Sequence, residues 1–379
     1  MRALRSAALL IAAGCSCGQE FGLTNNFGSF VAPEPDEEPS NMGTWSSFDL
    51  SPDGGRLTMA YYDRSAEGVG YAIGTIDAEG AVTWAHERVD GYGEGDPDVG
   101  MYAAQRTAAD GSVWVAYHDA DANTLRARKR VGGGVWEEAT EVAPGGMWAS
   151  MVMDGSRPIV AHADAAGALY LSTLDDGEWS TEVIYRSAPT DWTGADGVVE
   201  TRPALVAQPR LLIDGDELLV AVHDAAKGEL HLLGGDVDAA DQSDFDDEVI
   251  ASGDVGAWPS MVVHKGRLSI AYQDVAEQDL VVATREGNGW TIEVVDDGQM
   301  VGADSEIFSG DDALGVVYFD GWNGDAKLAT ADGGGWTTER IAGATTASGF
   351  HNETRAVGDR RFVGTYDYTS HSFALVTVE

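Results

Sequence analysis

Seven positions carry the residues of this chain that could do chemistry together. Each opens the first strand of a repeated unit: Trp45, Tyr102, Trp148, Arg202, Trp258, Asp304 and His351. A purely structural repeat needs one residue type at such a place, whereas these mix aromatic and ionisable groups. Two residues on, and so on the same strand face, stand Ser47, Ala104, Ser150, Ala204, Ser260, Glu306 and Glu353. Two further again come Asp49, Arg106, Val152, Val206, Val262, Phe308 and Arg355. Ionisable groups thus gather on units 6, 7, 1 and 2, which become neighbours if the units close into a ring. The opposite arc is apolar.

Such a patch reads first as a ligand pocket. Trp45, Trp148 and Trp258 offer faces for stacking a sugar ring, and Arg202, Asp304, Arg106 and Arg355 supply convergent polar groups. If the pocket is catalytic, His351 and Tyr102 are the proton-transfer groups. Arg106 or Arg355 would then neutralise a uronate carboxylate, the logic of a polysaccharide lyase. Glu306 and Glu353 read alternatively as a glycosidase pair, whose outcome depends on their separation. Asp304, Glu306, His351 and Glu353 also have the chemistry of metal ligands, but no short fixed spacing supports a metal. The plainer alternative is an ion network of Asp49, Arg106 and Arg355 that sets register where the chain ends meet, with Trp and Tyr filling a channel mouth.

Other motifs add little. Asp119-x-Asp121-x-Asn123 starts like a calcium loop, yet Arg130 stands where the bidentate Glu belongs and the sixth-position Gly is missing. The expectation is therefore no cofactor, with calcium at this loop as the one alternative. The sequence holds no nucleophile elbow, zinc motif or phosphate loop.

The elements that position these residues repeat a short phrase. AYYD (60–63), AYHD (116–119), AHAD (161–164), AVHD (221–224), AYQD (271–274) and VYFD (317–320) recur, with GTYDY as a degenerate seventh copy anchored at Tyr368. Repetition at roughly fifty residues with strand-like units means a propeller or solenoid. Within the fifth copy WPSMVVH, LSIAYQ, DLVVATR and WTIEVV read as strands separated by Gly- and Asp-rich turns. An aromatic often opens the fourth strand: Trp84, Trp136, Trp179, Phe245, Trp290 and Trp336. Four-stranded antiparallel units repeated radially predict an all-β, seven-bladed β-propeller. The repeated Asp, standing before a turn, reads as an Asx-type cap. Only six fourth strands can be counted, so residues 25–32 are expected to complete the last blade as an N-terminal closing strand.

The repeat AYxD…LxxA…GxWxxExV over residues 25–379 resembles a family of exported bacterial repeat proteins, often lipoproteins, with sialidase-like propellers. The resemblance implies the fold and hardly an activity. SPDGGRL (51–57) is only a partial Asp-box and lies between first and second strands, and no Arg-Ile-Pro signature is present.

MRALRSAALLIAAGCSC reads as a secretory signal over residues 1–14. Cys15 follows a lipobox-like Ala12-Ala13-Gly14 and is the expected lipidation site, with 15–24 as a tether. The expected location is the cell envelope, as an outer-membrane lipoprotein, or else secretion. Cys15 and Cys17 are the only cysteines, so no disulfide holds the body together. Asp and Glu number 63 against 23 Lys and Arg, a net charge of −40, which repels nucleic acid and anionic membrane surfaces. The expected partner is a carbohydrate or an extracellular or periplasmic protein, met on the face away from the tether.

Overall fold

The structure, a computed structural model, describes residues 44–378 except 52–53, 78–81, 194–196, 198, 239–244, 332 and 358–359. The expected signal, tether and closing strand (1–14, 15–24 and 25–32) lie outside the described residues. The chain folds into seven antiparallel sheets in sequence order, the blades of a β-propeller.

Blade 1 pairs Thr44–Leu50, Arg56–Asp63, Gly68–Ile76 and Val82–Asp90 in that order. Blades 3, 4, 5 and 6 repeat this plan. In blade 2 the outermost strand is split into Val135–Trp136 and Thr140–Pro144, both paired with Thr124–Val131. Blade 7 shows three strands, Ser348–Val357, Arg360–Asp367 and Ser372–Val378, among the described residues. An extra hairpin, Thr190–Thr193 with Val199–Arg202, is inserted between blades 3 and 4.

Second strands are buried on both faces because neighbouring blades cover them. Val113–Asp119 is buried at every residue, which is why these strands read as near-continuous apolar runs instead of alternating. Tyr61, Tyr117, Tyr272 and Tyr318 of the repeated phrase are among the largest fully buried side chains. Tyr117 hydroxyl donates to Asp90 of the preceding blade at 2.8 Å, so burial of the ring leaves no polar atom stranded. The aromatics of the outer strands seal one blade onto the one before. Trp136 meets Tyr71 edge-on at 5.2 Å and Trp179 meets Trp114 at 5.9 Å. The same contact joins the ends of the ring, where Trp84 of blade 1 packs on Phe373 of blade 7 at 6.0 Å. Ring closure is thus visible in packing.

The repeated Asp caps its hairpin in every blade. One carboxylate oxygen accepts turn amides, as Asp164 does from Ala166 and Ala168 at 2.8 and 2.9 Å. In blade 7 the capping residue is Asp367, which accepts from Thr369 and Ser370 at 2.8 Å each. The seventh copy is therefore anchored one residue before Tyr368. Its Asp is retained, and only the preceding Tyr has moved out of step.

Candidate functional site

Every first strand carries a bulge near its start. The register against the second strand slips between Thr44 and Ser47 in blade 1, and at the matching place in each other blade. Such a bulge re-aims the side chain it contains. The bulged residues are Trp45, Tyr102, Trp148, Gln208, Trp258, Asp304 and His351, and all seven have φ between 50° and 56°. That is the left-handed region, which costs an L-residue about 1–2 kcal/mol and favours Gly or Asn. None of the seven is Gly or Asn.

Six of these are the residues expected from sequence; the seventh is not Arg202. The inserted hairpin displaces blade 4, and Arg202 ends up on that hairpin, paired bidentately with Asp254 at 2.8 and 3.1 Å and stacked 3.9 Å over Trp192. Gln208 takes the bulge instead. The residues two and four beyond it are Arg210 and Leu212, not Ala204 and Val206. A sequence signal existed: Trp148, Trp258 and Asp304 each lie sixteen residues before the repeated Asp, and sixteen before Asp224 lies Gln208.

The bulged residues surround a cavity of about 90 Å³ at the mouth of the central channel, lined by Trp45, Tyr102, Trp148, Trp258, Arg210 and His351 among others. At about 10–15 Å³ per water, this holds a cluster of waters or one small ring. Four blades contribute a continuous aromatic wall: His351 to Trp45 at 4.6 Å, Trp45 to Tyr102 at 4.3 Å and Tyr102 to Trp148 at 5.5 Å. Trp258 lines the same cavity from blade 5.

The two polar bulge residues serve the ring. Gln208 Oε1 accepts from the Trp258 amide at 2.7 Å, and Asp304 Oδ2 accepts from the His351 amide. Each thereby holds the next blade's bulge. Burial and the nearby Glu306 push the Asp304 carboxyl up to about 6. Burial, reinforced by the Arg210 charge, drives His351 down to about 3, so its imidazole is neutral across the physiological range. Asn352 Nδ2 donates to Asp304 O at 3.0 Å and Gly349 O at 2.6 Å, which leaves its Oδ1 buried without a partner among the described residues.

Below the mouth an ion network joins blades 7, 1 and 2. Glu353 Oε1 meets Arg106 Nη1 at 3.1 Å and also binds Arg355 Nη2, while Arg355 Nε reaches Asp49 Oδ1 at 3.0 Å. Desolvation works against the Glu353 charge, but Arg355, Arg106 and the Phe48 amide overcome it and hold the carboxyl below its usual range. Arg106 and Arg355 are occupied by these partners. Glu306 sits two residues below Asp304 on blade 6; burial pushes its carboxyl up, and it makes no hydrogen bond or ion pair among the described residues.

The residues of the alternative calcium loop have other partners. Asp119 caps the Ala122 amide at 2.9 Å and faces Arg126 at 3.4 Å, and Asn123 Oδ1 lies 3.3 Å from His118 Nε2. No cluster of three or more His, Cys, Asp or Glu able to hold a metal occurs among the described residues.

No family model and no curated protein matches the chain. Solved structures do. Hydrazine synthase of Kuenenia stuttgartiensis is 14% identical with a TM-score of 0.57 over 93% of this chain and 98% of that one. Polysaccharide lyase Uly1 is 8% identical with a TM-score of 0.54 over 94% and 93%. A mutant of AofleA from Arthrobotrys oligospora is 12% identical with a TM-score of 0.51 over 80% and 88%. At such identities the likeness establishes the propeller fold alone.

Proposed function

We propose that this chain is a carbohydrate-binding β-propeller that takes a sugar ring into the eccentric pocket at its channel mouth. The observation that carries this reading is the choice of bulky aromatic residues where the backbone is left-handed. Stability alone would select Gly or Asn at a bulge with positive φ. Backbone strain retained in this way clusters at sites of function, and aromatic faces around a small cavity are what a sugar ring stacks upon. We further propose export, with a lipid on Cys15 holding the domain on the cell envelope and the pocket facing outward.

Cleavage of the bound glycan, by a polysaccharide lyase or glycosidase, is the rival reading. Fold likeness to polysaccharide lyase Uly1 favours it, as does the presence of His351 and Tyr102 in the wall. The state of the acid–base groups weighs against it. An imidazole held near 3 is a poor base at neutral pH, and Glu353 is engaged by two guanidiniums. Binding without turnover is the better supported function.

The test is a glycan array on the purified domain, followed by incubation with each hit and analysis for new reducing or unsaturated ends. Retention without new ends is expected, lost in Trp45→Ala and Trp148→Ala. Product formation that disappears in His351→Ala would replace this reading with the enzymatic one.

A further inference from the structure

The second tier of the channel contains two residues that the ring does not use. In three blades the side chain two positions after the bulge accepts the amide three positions after the bulge of the next. Ser150 accepts from Leu211 at 3.2 Å, Ser260 from Ile307 at 2.8 Å, and Glu353 from Phe48 at 2.6 Å across the ring closure. The other four differ: Ser47 donates to the Gln105 carbonyl at 3.4 Å, Ala104 has no acceptor, and blades 4 and 6 carry the charged Arg210 and Glu306. Arg210, with donors only, cannot take such an amide, and Glu306 does not. Neither side chain has a hydrogen bond or ion pair among the described residues, although the two are opposite in charge and flank the blade that carries Trp258.

We infer that Arg210, which lines the cavity, and Glu306, which follows the cavity-lining Asp304 by two residues, are the specificity-determining pair of the site, a donor and an acceptor on either side of blade 5 that grip a neutral sugar through adjacent hydroxyls. The inference rests on the carbohydrate-binding reading and narrows its substrate class. A hydroxyl can accept from a guanidinium and donate to a carboxylate, so a vicinal diol satisfies both walls at once. A uronate keeps those ring hydroxyls but adds a carboxylate, which can accept from Arg210 and is repelled by a neighbouring carboxylate. The channel holds three guanidiniums, Arg106, Arg210 and Arg355, against four carboxyls, Asp49, Asp304, Glu306 and Glu353. Carboxyls therefore outnumber guanidiniums there, and a ligand carboxylate would add to that excess. Arg210 lines the cavity, and it is the opposite charge that Glu306 feels most strongly.

The experiment titrates wild type, Arg210→Gln, Glu306→Gln and Arg210→Lys with glycans in matched pairs that differ only at C6, galactose- against galacturonate-terminated for example. Unchanged thermal unfolding certifies each variant. The expected result is that the neutral member binds at least about tenfold tighter and that each Gln variant loses about ten- to a hundredfold. Arg210→Lys recovers part of the loss. Tighter uronate binding that depends on Arg210 would overturn the diol inference while leaving carbohydrate binding intact. Neutral binding indifferent to both Gln variants would overturn it also. If no member of any pair binds, carbohydrate binding itself fails and this inference falls with it.

Discussion

Glu353 of blade 7 accepts the amide of Phe48 of blade 1 at 2.6 Å through one carboxylate oxygen while its other oxygen engages Arg106 of blade 2 and Arg355 of its own blade. One carboxylate thus ties three blades across the point where the ring closes. Serine does the equivalent job between blades 3 and 4 and between blades 5 and 6. The larger, charged version stands at the seam between the first and last described blades, where register has no covalent help.

Removing that charge should therefore loosen the seam. Glu353→Gln keeps an acceptor for the Phe48 amide but takes from Arg106 its only carboxylate among the described residues and leaves Arg355 with Asp49 alone, and breaking a buried pair costs about 3–5 kcal/mol. The expected outcome is a lower denaturant midpoint, read by tryptophan fluorescence, with Trp84 and Phe373 separating early. A loss below about 1 kcal/mol would show that the network is no stronger than a surface ion pair.

Strain and binding should separate at the bulges. Trp148→Asn places a residue tolerant of left-handed backbone at φ 52° and removes the ring 5.5 Å from Tyr102. Relief of about 1 kcal/mol offsets the lost packing, so unfolding free energy should change by no more than about 1 kcal/mol. Retention on any glycan found by array should fall at least about tenfold. Equal losses of stability and retention would mean that the tryptophan serves packing alone.

The propeller itself was legible because its signals are redundant. Seven copies of an Asp cap and a buried second strand, with six of an outer aromatic, average out a defect such as the displaced Tyr in blade 7. The site was legible only where the copies keep the same length. Blade 4 lacks the Gly that precedes the bulge by two residues in its neighbours, as Gly146 and Gly256 do. Those glycines have φ of 100° and 99°, and a Cβ on either would lie 2.9 Å or less from Leu125 or Leu230 of the preceding blade. With that marker absent and a hairpin inserted, Arg202 was aligned in place of Gln208, and Arg210 was missed with it. Which charges pair below the mouth was beyond strand periodicity, because it depends on how far Arg106 and Arg355 reach across blades.

Acid should destabilise the protein through its buried histidines. Folded-state values near 3 for His351 and His162 and near 4 for His223 lie below the unfolded value of about 6.5. The unfolded chain therefore binds protons first as pH falls. Their contribution is fully present above about pH 6.5 and is lost as pH drops toward 3–4, at up to about 1.4 kcal/mol per pH unit per group. Asp304, raised to about 6, works oppositely, gaining stability as pH falls from about 6 to 4. His351→Asn should flatten the acid limb of the Tm–pH curve, and an unchanged limb would mean that His351 is protonated in the folded protein.

Calcium should leave the hairpin of blade 2 untouched. Asp119 spends one oxygen on the Ala122 amide and faces Arg126 with the other, so Asp119→Ala should cost about 1 kcal/mol, as loss of a cap does. Thermal unfolding in millimolar CaCl2 and in EDTA should coincide. A Tm raised by calcium in the wild type and not in Asp119→Ala would reinstate the metal site.

Arg202 offers the sharpest separation of structure from binding. Its guanidinium is buried, grips Asp254 at 2.8 and 3.1 Å and covers the Trp192 ring at 3.9 Å. It therefore pins the inserted hairpin onto blade 4 without lining the cavity. Arg202→Gln leaves Asp254 uncompensated and exposes the stacked tryptophan face, at a cost of about 3 kcal/mol. Limited proteolysis should then cut within residues 190–202 at low protease, whereas the wild-type hairpin resists. Glycan retention should stay within about twofold, in contrast to Arg210→Gln. Retention lost in both variants would place Arg202 among the ligand contacts and restore the role that the sequence first suggested for it.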